Sequence, residues 1–285
     1  MKKALFAVLA LLCVPLAVTT GCADGQMSDA ELEKIVREVV ERNAAVETTT
    51  FDMTMDALVD IEGDAEIDEM SISATGTGVV DSASQSMHMT MDMVTTMPGE
   101  GDIEVPVEYF LVDGWMYMSM QVPDQGEQWM KFQMPEGMWE QQSQVQQQID
   151  MLRDAEEVSY LGTEDVNGVA CHVVKIVPDM ESLQEMVSQM QGQMGGLEGV
   201  DLSAMDLGEM MKSMSMTQYI AEDSYLFMKT TQHIVIEITP AHLGIPEGEF
   251  ERITEDVSTT MVFRNYDEPA TIQLPQGALA AAQMG

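Results

Sequence analysis

The chain is poor in cysteine and in basic residues, and each shortage narrows the classes of protein it can belong to. It has 285 residues, with 3 Cys, 4 His and 12 Lys or Arg against 49 Asp or Glu, and its formal net charge is −37. Nucleic acid and anionic headgroups are therefore poor partners for its general surface. Cys13 and Cys22 lie near the start, which leaves Cys171 alone, so no disulfide can form within the rest of the chain. Stability must come from a hydrophobic core.

The motifs of common catalytic sites are also missing. The sequence has no H-E-x-x-H zinc motif, no G-x-S-x-G elbow and no phosphate-binding glycine loop. The four histidines, His88, His172, His233 and His242, lack the spacing of metal ligands. Cys171 and His172 are neighbours in a predicted strand, so their side chains should lie on opposite faces and not form a thiolate and base pair. We predict a protein that is not an enzyme and has no metal or other cofactor.

The one long apolar run lies at the N-terminus. Lys2 and Lys3 precede apolar residues 4–18, and small residues then lead to Cys22. This order is typical of a secretory signal peptide, and the run is too short to span a bilayer comfortably. The Gly and Cys at its end resemble a bacterial lipobox, whose cysteine is lipidated. We predict that residues 1–21 are removed and that a lipid on Cys22 anchors the protein to the outer face of the cell membrane, with simple cleavage or an uncleaved anchor as alternatives.

The hydrophobic pattern predicts a helix followed by many strands. After a tether at residues 22–27, Ser28 and Glu31 form a capping-box motif, and apolar residues recur at helical spacing from Leu32 to Val40. From residue 48 the period becomes two, as in half-buried strands. We predict strands, separated by turn residues, at 48–57, 70–75, 86–93, 105–112, 115–122, 128–134, 158–163, 169–177, 217–221, 226–238 and 252–263.

Two segments interrupt the strands. A helix is predicted at residues 138–154, and residues 180–216 form a methionine-rich segment with an amphipathic stretch. We predict that this segment is a mobile helical cover over the sheet, with a plain surface loop as the alternative. Residues 276–285 are predicted to be a flexible tail. The side chains predicted to face the sheet from the cover are Leu183, Met186, Val187, Met190 and Met194.

The order of the elements predicts the fold class. The predicted strands do not alternate with helices, which argues against a parallel α/β fold and predicts an α+β fold. Its main part should be one large, curved antiparallel sheet with helices packed on the concave side. Residues 28–275 then form a single domain.

Four short segments resemble the LolA-like superfamily of envelope lipid carriers, which includes LolA, LolB, LppX and LprG. They are the strand, turn and strand at 161–174, a second such unit at 219–229, the turn at 112–117 and the closing segment 266–275. The resemblance implies a half-open β-barrel wrapped round helices, with an apolar cavity that shelters acyl chains. It also implies a lipid or acylated ligand, and an envelope protein as a further partner.

Methionine, with 29 residues, is abundant. Its unbranched thioether can repack round chains of different shape, which suits an adaptable apolar cavity. Methionines that only fill the core are one alternative, and Cu(I) binding by the thioethers of strand 86–93 is another. Same-face neighbours on a strand are about 6 to 7 Å apart, too far to close on one ion without help. We predict a cavity lined by Phe51, Met53, Met55, Met87, Met89, Met91, Met93, Val105, Val107, Tyr109, Met116, Met118 and Met120.

Together these features predict a lipid-anchored envelope protein that binds a lipid or lipidated ligand in a methionine-lined cavity, as a carrier or chaperone. The alternative from another class is a protein-interaction or sensor module of the same fold. A cavity open at one end favours the carrier, whereas a filled interior with an exposed apolar patch elsewhere favours the interaction module.

Overall fold

A computed structural model describes residues 27–63, 68–99, 101–122, 126–134, 139, 144–153, 155–179, 210–242 and 250–283. Within these ranges the helices are α1 (Asp29–Ala44), α2 (Gln144–Arg153) and α3 (Gln276–Leu279). The strands are β1 (Thr48–Glu62), β2 (Glu69–Asp81), β3 (Ser86–Met97), β4 (Gly101–Val112), β5 (Trp115–Val122), β6 (Gly126–Gln133), β7 (Ala155–Val166), β8 (Val169–Pro178), β9 (Met211–Ala221), β10 (Phe227–Ile238), β11 (Arg252–Arg264) and β12 (Ala282–Gln283).

All twelve described strands belong to one open sheet, in the order β12-β6-β5-β4-β3-β2-β1-β11-β10-β9-β8-β7. Strands β1 to β6 form one antiparallel meander and β7 to β11 a second, and the antiparallel pair of β1 with β11 joins them. The short β12 is parallel to β6. The structure confirms the predicted fold class, one large antiparallel sheet that does not close, accompanied by few helices. No helix in the described part is long and apolar enough to cross a membrane.

Helix α1 begins at the predicted capping box. The backbone N–H of Glu31 donates to Ser28 Oγ at 3.4 Å, and the backbone N–H of Ser28 donates to Glu31 Oε2 at 3.0 Å. The side-chain hydrogen bond with Ser28 lowers the pKa of Glu31. The apolar stripe of the helix is buried at Ile35 and Val39, as its spacing predicted.

The sheet curls round α1 and α2. Ile35 of α1 and Ile149 and Leu152 of α2 share one buried cluster with side chains of β1 to β4 and of β8 to β11. In the sheet, β4 and β8 are seven strand spacings apart, which would be roughly 34 Å in a flat sheet. A common core on two helices requires the sheet to bend, so the helices lie on its concave side, as predicted.

The concave side holds two buried clusters, one toward each end of β1. The first contains the helices and Phe51 near the start of β1. The second contains Val59 near the end of β1, with Ile72 of β2, Ile236 of β10 and Val257 of β11. Both follow from the alternation of β1, whose inward residues from Phe51 to Ile61 are apolar while Asp52, Asp56 and Asp60 point outward.

Gly78 of β2 lies under the ring of Phe51, its partner on β1. A Cβ on Gly78 would lie 2.3 Å from Phe51 Cζ, and Phe51 is 0% exposed. We expect Gly78→Ala to lower the free energy of unfolding by about 1 to 3 kcal/mol, because the ring has no free space to enter. Chemical denaturation measures this. The control Thr75→Val, on the exposed side of β2, should change the free energy of unfolding by less than about 0.5 kcal/mol. If Gly78→Ala has an equally small effect, the Phe51 ring can move aside at little cost.

The C-terminal residues differ from the predicted flexible tail. Residues 276–283 contain α3 and β12, and Ala278 is fully buried. A Cβ on Gly277 would lie 2.5 Å from Trp129 Nε1, so α3 packs closely on the indole ring of β6. This order comes from a long-range contact, which the local pattern of small residues does not reveal.

The predicted cover also differs in its extent. Residues 211–216, which we assigned to the cover 180–216, are the first half of β9 and pair with β10. Met214 and Met216 alternate with Ser213 and Ser215, which is the period of a strand, but the high methionine content obscured it. The five predicted cover side chains lie outside the described residues, as do the signal sequence and Cys22. Helix α2 is described over Gln144–Arg153 of the predicted 138–154.

Candidate functional site: an apolar face of the sheet

The strand register assigns all thirteen predicted cavity positions to one face of the sheet. Met53 of β1 faces Gly76 of β2, which faces Met91 of β3. Met91 faces Val107 of β4, and Val107 faces position 120 of β5. Directly paired residues lie on the same side of a sheet, so this row defines one face. The face is the concave one, because its members Phe51 and Met87 pack in the cluster that contains α1 and α2.

Four of the predicted residues belong to the packed core. Phe51, Met55, Met87 and Met89 are at most 6% exposed and lie in the two buried clusters. Gly78 of β2 makes room for Phe51, because the Phe51 ring occupies the space where a side chain would be. These four side chains therefore fill the core and do not line a cavity. The alternation in the sequence could not distinguish them from residues that line an accessible surface.

Met53 of β1 is half-buried, and so are seven predicted residues that continue the same face across β3, β4 and β5: Met91, Met93, Val105, Val107, Tyr109, Met116 and Met118. Two residues of β6 belong to it as well: Met130 faces Met118, and Phe132 faces Met116. The sequence prediction missed these two, although the alternation of β6 marks them as inward. We name this surface the methionine face and define it as Met91, Met93, Val105, Val107, Tyr109, Met116, Met118, Met130 and Phe132.

The methionine face is uncharged. Tyr109 carries its single polar group, and burial raises the pKa of that phenol to about 12, so it is neutral at physiological pH. Charged groups of the same strands lie on the opposite, convex face, where His88 Nε2 is 2.7 Å from Glu108 Oε1. The sheet therefore separates an acidic outer side from an apolar inner side. An apolar surface of this kind binds hydrocarbon by removing it from water.

A separate cleft lies between α1, α2 and the start of β7. Its volume is about 610 Å³, and its apolar lining is contributed by Leu32, Val36 and Leu152, among others. Charged side chains of both signs, including Arg37 and Glu41, surround it. None of the residues that line the cleft belongs to the methionine face.

Cys171 and His172 lie on opposite faces, as predicted. Cys171 is buried with Val173 and Tyr219 in a small cluster on the convex side, and burial raises its pKa to about 11, so the thiol stays protonated. The ring of His172 lies 5.9 Å from that of Tyr160, between centroids, and burial lowers its pKa. These two residues therefore do not form a nucleophile and base pair. In the described ranges no group of three or more His, Cys, Asp or Glu could hold a metal ion.

Comparisons with known proteins give a family and similar folds. The family model described as a family of unknown function, DUF6612, matches residues 31–283. The chain is similar to the crystal structure of the lipoprotein LppX from Mycobacterium tuberculosis, at 14% identity and a TM-score of 0.39, over 86% of this chain and 100% of that one. It is also similar to LprF from Mycobacterium bovis, at 12% identity and a TM-score of 0.42, over 88% and 99%. No curated protein matches.

LppX is one of the proteins that the sequence resemblance named. At these identities and TM-scores the similarity indicates neither a ligand nor a partner.

Proposed function

We propose that this chain, which belongs to the DUF6612 family of unknown function, binds the acyl chains of a lipid on the methionine face of its sheet. One observation carries the proposal. The inner face is filled by its own side chains around Phe51 and Met87, but across β3 to β6 it continues as nine contiguous side chains that stay half-buried. A contiguous accessible apolar surface of this kind marks a binding site.

The energetics favour a carrier or chaperone. Moving an acyl chain through water costs about 0.8 kcal/mol per CH₂, on the order of 10 kcal/mol for a long chain. A protein surface as apolar as the membrane nearly cancels that cost, so shelter matters more than tight binding. Methionine suits this role because its flexible side chain can adapt to chains of different length and shape.

We also propose that the protein is anchored in the cell envelope. A signal peptide at residues 1–21 and a lipid on Cys22 would hold the protein at the outer face of the membrane. Five residues separate Cys22 from Ser28, which begins the fold. The domain would therefore lie six residue steps, at most about 22 Å, from its anchor. Labelling cells with an alkyne fatty acid tests this: the wild type should be labelled and Cys22→Ser should not.

A charged substitution on the methionine face tests lipid binding. The protein used is residues 23–285, which contains every described strand and helix, and the probe is a pyrene-labelled fatty acid methyl ester. We expect Met93→Lys to weaken binding at least about tenfold, because an ammonium group in an apolar surface stays poorly solvated. The control is Val94→Lys, the half-buried neighbour on the convex face, which should bind within about twofold of wild type.

Two results contradict the proposal. A wild-type protein that takes up no probe has no lipid site of this kind. If Met93→Lys and Val94→Lys bind equally well, the site is not the methionine face.

The second candidate function is a protein-interaction module, favoured by the filled core at Phe51 and Met87 and by the apolar cleft beside α1. Val36→Asp separates the two functions, because Val36 lines the cleft and not the methionine face. Unchanged uptake of the pyrene ester in this variant supports the methionine face as the lipid site. Cu(I) binding remains a lesser alternative, which a competition titration with a Cu(I) chelator tests.

A further inference from the structure

Four polar side chains are buried next to each other on the concave face of β9, β10 and β11. Gln218 faces Thr230 across β9 and β10, and Gln232 faces Thr259 across β10 and β11. Each is at most 5% exposed. Thr230 and Gln232 are two residues apart on one strand, so all four share one patch. We name this patch the polar quartet.

Each member of the polar quartet has a polar atom with no hydrogen-bond partner in the described structure: Gln218 Oε1, Thr230 Oγ1, Gln232 Nε2 and Thr259 Oγ1. The amide of Gln218 is held in place by α2, since its Nε2 donates to the backbone oxygen of Gln148 at 3.1 Å. The large majority of buried side-chain polar atoms in proteins are paired. Four unpaired neighbours therefore require an explanation.

Stability does not explain the polar quartet. A buried polar atom without a partner destabilises a fold, and an apolar side chain of similar shape would be as good or better there. The adjacent inward positions show that apolar residues fit, since Met216 faces Gln232 and Met261 faces Thr230. The polar atoms are thus suited to a group that enters from outside the chain.

The register connects the polar quartet to the methionine face. Thr259 faces Met55 of β1, Met55 faces Ala74 of β2, and Ala74 faces Met93. Thr259 and Met93 are therefore three strand spacings apart, about 14 Å. A long acyl chain can extend over that distance. Met55 and Ala74, which lie between the two places, are at most 6% exposed, so one lipid contacts both places by displacing the side chains that cover them.

We propose that the polar quartet binds the uncharged ester group of a neutral lipid whose acyl chains lie on the methionine face. This inference rests on the function proposed above. The amide of Gln232 and the two threonine hydroxyls can donate to ester oxygens, and Gln218 Oε1 can accept from a hydroxyl. The inward register neighbours of the quartet are apolar, so a phosphate or carboxylate would be buried without a counter-ion. These neighbours are Met55, Val174, Met216 and Met261.

Three probes of equal chain length test the inference on residues 23–285: a pyrene-labelled fatty acid methyl ester, the corresponding pyrene-labelled hydrocarbon and the free acid at about pH 8. We expect the wild type to bind the ester about five- to tenfold more tightly than the hydrocarbon, as one or two hydrogen bonds would give. The free acid should bind more weakly than the ester.

Two variants remove the polar atoms and a third serves as a matched control. Gln232→Leu and Thr259→Val should lose the preference for the ester while they keep the affinity for the hydrocarbon. Thr231→Val removes a buried and equally unpaired hydroxyl from the opposite face of β10, and it should keep the preference. The first two variants should unfold at the same denaturant concentration as wild type or a higher one, which shows that they fold.

The outcomes separate this inference from the proposed function. Equal binding of ester and hydrocarbon by the wild type overturns the inference and leaves lipid binding in place. The inference is also overturned if Gln232→Leu and Thr259→Val still prefer the ester to the hydrocarbon, or if the wild type binds the free acid more tightly than the ester. Binding of none of the three probes contradicts the proposed function itself.

Discussion

Replacing Asn43 by alanine should lower the free energy of unfolding by about 3 kcal/mol. Asn43 is 1% exposed at the end of α1. Its Nδ2 donates to the backbone oxygens of Val39 and Tyr225, both at 2.8 Å, and its Oδ1 accepts from the backbone N–H of Phe227 at 3.1 Å. Alanine leaves the groups of Tyr225 and Phe227 without this partner, and each buried group left unpaired costs about 1 to 3 kcal/mol.

The physical role of Asn43 is to join the first helix to the turn between β9 and β10. The same turn is held from another side, where the Tyr266 hydroxyl donates to the backbone oxygen of Phe227. Loss of the Asn43 amide should therefore loosen the contact of α1 with the concave face, in addition to lowering global stability.

Urea denaturation measures the global effect, and hydrogen exchange at the Phe227 amide measures the local one. Arg42→Ala is the control, because Arg42 is exposed and forms only a long ion pair with Glu38, at 3.9 Å. This variant should change the free energy of unfolding by less than about 0.5 kcal/mol. An Asn43→Ala protein with wild-type stability and a protected Phe227 amide would refute this role.

The fold was largely predictable because its signals are local. In β1, Phe51 and Met53 alternate with Asp52 and Thr54, and the structure places the first pair inward and the second outward. The capping box at Ser28 fixes the start of α1 in the same way. Apolar residues recur every two residues in a strand and every 3.6 residues in a helix, because each strand or helix has one buried side.

The division of the inner face could not be predicted, because it depends on long-range packing. Met55 and Met93 have the same alternating surroundings in the sequence. Met55 faces Thr259 on a central strand and is buried, whereas Met93 faces Val105 toward the edge of the sheet and is half-buried. Only the strand order shows which methionines fill the core and which can meet a ligand.

The burial of the polar quartet could not be predicted from the sequence either. Gln232 and Thr230 occupy inward positions of β10, but a polar residue in an alternating pattern is normally assigned to the outer side. Their position follows from the pairing with Gln218 and Thr259 on the neighbouring strands. No local rule contains that information.

Glu255 should make the protein less stable as the pH rises, by about 2 to 3 kcal/mol between about pH 5 and pH 8. Its side chain is 1% exposed on the inner face of β11, and neither carboxyl oxygen has a partner in the described structure. Its neighbours across the strands, Val59 and Ile236, and along its own strand, Ile253 and Val257, are apolar. Burial raises the pKa of Glu255 to about 7.

The sign follows from the proton balance. The folded chain holds the Glu255 proton up to about pH 7, whereas the unfolded chain releases it near its ordinary pKa of about 4.5. The folded state is therefore favoured in full below about pH 4.5, and this contribution is lost as the pH rises through about 7. Most exposed carboxylates are already ionised over this window, so they add little to its slope.

Glu255→Gln isolates the effect, because glutamine has a similar shape and no charge at any pH. Urea denaturation should show the variant about as stable as wild type near pH 4.5 and about 3 kcal/mol more stable near pH 8. Asp60→Asn removes an exposed negative charge from β1, and its stability should follow the wild-type curve within about 0.5 kcal/mol. The histidines are the same in all three proteins, so their titration cancels when the curves are compared. If the curves of wild type and Glu255→Gln run parallel, the carboxyl group keeps its ordinary pKa and is not enclosed by the apolar core.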